Sequence, residues 1–152
     1  MEIKVTFSLK LEEERIKFTL SKLKWYKKHG YNPLLPKKEI VEEYEEKMYE
    51  SFKNNLLTKY SDIKENIENQ LHKTGKPPTK IEVILTKYGT MGSYRIPDKV
   101  ILNIHNNNPL KTLIHEIVHL MIEKKVIENK IAHEEKEKIV DKILKDNFSF
   151  LN

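Results

Sequence analysis

The sequence has no cysteine. Disulfides and thiolate-held metal centres are therefore excluded, and any metal ion has only His, Asp and Glu to bind it. Arginine is nearly absent as well, occurring only at Arg15 and Arg95, so the net charge of +5 and the isoelectric point near 9.1 come from scattered lysines. A specific nucleic-acid surface normally presents a clustered basic patch interleaved with exposed aromatics; without one, no specific nucleic-acid partner is expected. Long apolar runs are missing too. No window approaches the roughly 18 apolar residues of a membrane span, and the opening "MEIKVTFSLKLEEERIKFTL" is interrupted by charges throughout. The expectation is a cytoplasmic chain with neither a membrane segment nor a standard export signal.

What is present is the composition of an ordinary folded domain. With 152 residues, 38% of them apolar and 34% charged, the chain is large enough to bury a core and polar enough to solvate its surface. A single domain over 1–152 is expected, of the α+β class, with a helical N-terminal half followed by a short, mostly antiparallel sheet and two further helices. Ile3, Val5, Phe7, Leu9 and Leu11 alternate as in a half-buried strand. "LEEERIKFTLSKLKWYKKHG" then reads as a helix, acidic at its start and basic before Gly30. Pro33 and Pro36 interrupt the chain. "KKEIVEEYEEKMYESFKNNLLTKY" and "SDIKENIENQLHKTG" read as two amphipathic helices, the second capped by Ser61.

After Pro78 the character changes. "KIEVILTK" and "KVILNIH" are β-rich, and between them "YGTMGSYRIPD" is a glycine-containing turn or bulged edge. A helix begins near Leu110, and another spans about 131–147. Trp25, Tyr26, Phe7 and Phe52 read as core, and His29, His72 and His105 as surface.

The chemistry is concentrated in "KTLIHEIVHLMIE". His115 and His119 are four apart, so on a helix both imidazoles project from one side and can reach a single ion. Glu116, next to the first histidine, falls beside that site, where it can handle the proton of an activated water. Such a zinc site needs a third protein ligand and an open position. His133, Glu134, Glu135 and Glu137 are the candidates downstream. Glu137 is preferred because it opens "EKIVD": Asp141 lies one helical turn further on and can orient a ligand histidine, His115 being the nearer choice. The bland alternatives are two core histidines satisfied by backbone and a solvated charged helix, which is the reading retained for Glu134 and Glu135.

H-E-x-x-H followed by E-x-x-x-D resembles the gluzincin metallopeptidases, and the short span from His119 to Glu137 is similar to the minigluzincins of the selecase and projannalysin kind. The resemblance covers about residues 78–146. It implies a zinc ion held by His115, His119 and Glu137, with Glu116 as general base and Asp141 behind the ligands. It also implies a zincin-like core at 77–147, backing helices at 37–76, and an N-terminal addition at 1–36. The substrate it implies is a peptide or unfolded protein, held in extended form along an edge strand at Lys99 to His105. Members of the family are often latent, so a terminal segment, either "DNFSFLN" or Met1 to Leu11, or self-association, is expected to block the cleft in a zymogen-like way. The donor for the developing oxyanion is open among Tyr88, Tyr94, Arg95 and His133. Two alternatives stand beside the peptidase: a DNA-associated protease similar to SprT, with His133 as third ligand, and a zinc-stabilised peptide-binding module without turnover.

Overall fold

The structure, a computed structural model covering Met1–Asn152, is an α+β fold of six helices and one four-stranded mixed sheet. The chain opens with β1 (Glu2–Thr6). The alternation seen in the sequence does not carry the strand to Leu11. Ser8 caps α1 (Leu9–Ser21), its side chain accepting from the Leu11 amide at 3.1 Å, and Leu9 and Leu11 enter the helix instead. A short α2 (Leu23–Lys28) follows, then a single-turn α3 (Ile40–Glu43), where extended backbone at Tyr44 breaks the expected long helix. The two helices expected either side of Ser61 are one. α4 runs from Glu46 to Thr74, and only Ile63, with φ −128° and ψ 18°, leaves helical values.

The second half holds β2 (Lys80–Thr86), β3 (Gly92–Arg95), β4 (Lys99–Asn103), α5 (Pro109–Glu128) and α6 (His133–Asn147), closed by a 3-10 turn at Ser149–Leu151. Strand order is β1-β2-β4-β3. β1 and β4 both run parallel to β2, and only β3 and β4 are antiparallel. The expectation of a mostly antiparallel sheet is thus corrected. Helices α1 to α4 provide the long crossover from β1 to β2, and residues 87–98, with β3 inside them, return the chain for β4. Lys99 to His105 is consequently not an edge. β4 lies between β2 and β3, and the free edge on that side of the sheet is β3, the segment that the sequence offered as a turn or bulged edge.

One hydrophobic cluster joins all layers. It contains Leu56, Ile67 and Leu71 of α4, Ile81, Val83 and Leu85 of β2, Val100 and Leu102 of β4, and Leu113, Ile114 and Ile117 of α5, each with no exposed surface. Two-residue spacing in the strands and three- or four-residue spacing in the helices aim these groups at a common centre. Neither terminus lies along β3. β1 adds to the sheet beside β2, on the far side from β3. At the C-terminus Phe148 and Leu151 are buried in the cluster, and Asn108 Nδ2 donates to the Leu151 carbonyl at 3.0 Å. Residues 1–36, expected as an addition, supply this edge strand and the helices α1 and α2.

Gly30 and Gly89 both have left-handed backbone, with φ of 76° and 78°, but their surroundings differ. A Cβ at Gly30 would meet nothing within 4 Å, whereas at Gly89 it would sit 2.5 Å from the guanidinium of buried Arg15. Gly30→Ala should cost about 1–2 kcal/mol for the backbone alone. Gly89→Ala should cost about 1–3 kcal/mol more for the clash. Urea unfolding of the two variants measures the difference.

Candidate metal centre

Helix α5 starts at Asn108, whose side chain accepts from the Lys111 amide, and Pro109 fills the first helical position. From there the helix runs through the core with Leu113, Ile114, Ile117 and Val118 buried. His115, Glu116 and His119 lie on one side of it, one helical turn apart at most. Asn129 to Ala132 reverse the chain, with Lys130 at φ 50°, and α6 returns alongside α5 carrying Glu137.

Three donor atoms converge between the two helices. The Nε2 atoms of His115 and His119 are 3.0 Å apart, and each lies 3.3 Å from a carboxylate oxygen of Glu137. The contacts to Glu137 use its two different oxygens, Oε2 toward His115 and Oε1 toward His119, and a tetrahedral ion with bonds of about 2.0–2.1 Å needs donors about 3.3–3.4 Å apart, close to these separations. His115, His119 and Glu137 can hold a metal ion. Asp141 stands behind them, its Oδ1 3.9 Å from His115 Nδ1.

The electrostatics point the same way. Two imidazole lone pairs and a carboxylate facing one another need positive charge between them, from a proton or from a metal. Burial works to lower the pKa of His115, but the hydrogen bond to Glu137 and the charges of Glu116, Glu137 and Asp141 raise it overall. His119 goes the other way, lowered chiefly by its burial. Burial would raise Glu137, yet its contacts with both histidines hold it well below the usual carboxylate range. Metal binding needs neutral imidazole, so as pH falls protons compete first at His115. His119 Nδ1 is buried without a partner, which leaves its ring fixed by packing: Tyr94 stacks on it at 4.9 Å between centroids and 10° between planes.

Glu116 is 7% exposed and is not one of the three converging groups; burial is the first cause that pushes its carboxyl up to about 7. It lies against β3 at Gly92, where a Cβ would come 2.8 Å from its Oε1 and 2.4 Å from Thr112 Cγ2. The lack of a side chain at Gly92 therefore lets α5 bring the carboxylate up to the strand.

A cavity of about 380 Å³ opens over this centre. It is lined by His115, Glu116, His119 and Glu137, by Gly92, Ser93 and Tyr94 of β3, and by an aromatic wall of Phe18, Trp25, Tyr26 and Tyr31. No known family model, curated protein or solved structure matches this chain.

Several residues of this cavity were not singled out in the sequence. Trp25, expected in the core, is 38% exposed and stacks on His29 and Tyr31 at the cleft wall. Tyr26 is buried, while Phe7 and Phe52 pack half-buried against the core. His29, expected at the surface, is half-buried under Trp25, whereas His72 and His105 are exposed. Nothing in the local pattern distinguishes a cleft aromatic from a core one, because both follow helical spacing. Of the four oxyanion candidates, Tyr94 and His133 line the cavity. Tyr88 instead donates to Glu43, and Arg95 lies over the Phe18 ring. His133 is near the triangle but outside it: its Nδ1 is 3.8 Å from Glu137, and its Nε2 is hydrogen-bonded to the Tyr31 hydroxyl at 2.9 Å. Glu134 and Glu135 are exposed.

Metal titration of single variants checks the ligand set. Glu137→Ala should weaken zinc binding by more than about 100-fold, and Asp141→Ala by about tenfold. His133→Ala should leave the affinity at the wild-type value.

Proposed function

We propose that this chain is a zinc-dependent metallopeptidase of the gluzincin kind, in which α5 and α6 are the active-site and glutamate helices and β3 is the substrate-holding edge. The observation that carries the proposal is Glu116. A structural metal site has no use for a buried carboxylate beside its ligands and outside the coordinating set, yet Glu116 lines the same cavity as all three. A hydrolytic site requires such a group.

Zinc bound by His115, His119 and Glu137 would supply Lewis acidity, polarising the scissile carbonyl and acidifying water. Glu116 takes the proton of the attacking water and returns it to the leaving amine. Its raised pKa suits both halves of that task, because a proton held near neutral pH is readily given up again. The ligand helices are fixed by the core, so the donors are in place before substrate arrives.

The sheet supplies a track for the peptide. Asn103 N donates to Met91 O, which sets the alternation of the β3–β4 ladder. Gly92 and Tyr94 therefore turn their backbone polar groups away from β4, toward the free edge. An extended peptide adding there passes Glu116 at Gly92 and the metal ligand His119 at Tyr94. No helix is long and apolar enough to cross a membrane, and a peptide or unfolded protein is the substrate that this open edge suits.

Glu116→Gln separates this function from a metal-stabilised binding module. The variant should keep one zinc per chain and lose about 10²–10⁴-fold in kcat on an unfolded protein substrate, followed by the appearance of new amino termini. Cleavage equal to wild type would remove Glu116 from the chemistry.

A further inference from the structure

Lys136 sits on α6 immediately before Glu137 and lines the cavity over the metal triangle. Its ammonium donates to the Tyr94 hydroxyl at 2.8 Å and lies 5.2 Å from the centre of that ring. The Tyr94 hydroxyl in turn donates to Glu123 Oε2 at 2.7 Å, so the neutral phenol accepts from Lys136 without neutralising it. Among the other half-buried lysines, Lys87 has Glu45 at 3.7 Å and Lys99 has Glu82 at 3.1 Å, while Lys53 and Lys111 have no carboxylate within 4.0 Å but lie outside this cavity. Lys136 has none within 4.0 Å, and a cation held in a cavity with two N–H bonds to spare is a site for an anion.

The position of the charge is what sets it apart. Tyr94 is stacked on His119, so Lys136 stands one aromatic ring away from a metal-facing imidazole. The two carboxylates of the cavity, Glu137 and Glu116, belong to the metal triangle and the proton transfer. Across from them Phe18 and Trp25 offer apolar surface for a bulky group.

We propose that Lys136 is a specificity-determining residue that anchors a substrate carboxylate beside the metal centre, with the Phe18 and Trp25 wall receiving the neighbouring apolar side chain. As a specificity element this rests on the peptidase function proposed above. The preferred substrate is then a peptide carrying a carboxylate close to the scissile bond, either its own C-terminus or an acidic side chain; the chemistry of the anchor is the same for both.

Trp25 is the only tryptophan of the chain and lines the cavity, so its fluorescence reports occupancy directly. The zinc-loaded full chain is titrated with two matched pairs of probes: N-acetylphenylalanine against its amide, and N-acetylglutamate amide against N-acetylglutamine amide. At least one carboxylate member should bind about tenfold or more tightly than its neutral partner, the size expected of a charge-assisted hydrogen bond. The pair that discriminates identifies the source of the carboxylate. Lys136→Met, which keeps the apolar stem, should erase the preference, and Lys136→Arg should retain it. Equal binding within both pairs overturns the proposal. So does a preference that survives Lys136→Met and disappears on chelation, because the carboxylate would then be bound to the metal. Peptide cleavage is followed in the same samples: a Lys136-dependent preference without any hydrolysis upholds the anchor and counts against the peptidase function.

Discussion

Two imidazole nitrogens 3.0 Å apart, each 3.3 Å from one carboxylate, are the constraint around which the rest of this molecule is arranged. Acceptor atoms that close need a proton or a metal ion shared between them. The geometry holds because α5 and α6 are each fastened elsewhere: α5 by Leu113, Ile114 and Ile117 against the sheet and α4, and α6 by Val140 and Leu144 in the same cluster. Because α5 is largely apolar and packed into the core, it holds His115, Glu116 and His119 in fixed positions. Burial lowers His119 and raises Glu116, while the hydrogen bond to Glu137 and the surrounding carboxylates raise His115 against its burial.

The site was more legible in the sequence than the fold around it. A four-residue helical spacing fixes where His119 lies relative to His115 and Asp141 relative to Glu137, whereas joining the two pairs rested on the need for a third ligand and on the E-x-x-x-D pattern. Which strand forms the edge is a long-range fact. The residues of β4 read as an exposed strand because nothing local reveals that β2 pairs with its other side. Parallel pairing of β1 with β2, across more than seventy intervening residues, is equally silent in any local pattern. Helix boundaries moved for identifiable reasons. Ser8 caps α1 early, Tyr44 opens the chain between α3 and α4, and Ser61, a plausible cap, is absorbed into a helix whose only departure is at Ile63.

The N-terminal segment changes the meaning of the cleft. The metal triangle and Glu116 come from α5 and α6, but the wall that faces them is Phe18, Trp25, Tyr26 and Tyr31. That wall is joined to α6 through rings: Trp25 and Tyr31 are stacked parallel, His133 stands edge-on to both, and the Tyr31 hydroxyl closes on His133. His133 thus tethers the cleft wall to the glutamate helix, whereas the sequence had offered it as an alternative ligand. The converging donors and the aromatic wall thus have separate origins in this fold, the first on two core helices and the second on the segment that precedes them.

All of this depends on a metal ion occupying the triangle. Elemental analysis of the protein purified without added metal tests that most directly. The account predicts one zinc per chain, retained through dialysis and removed by a strong chelator. Protein that is folded yet carries no stoichiometric metal, and takes up none when zinc is supplied, would contradict it.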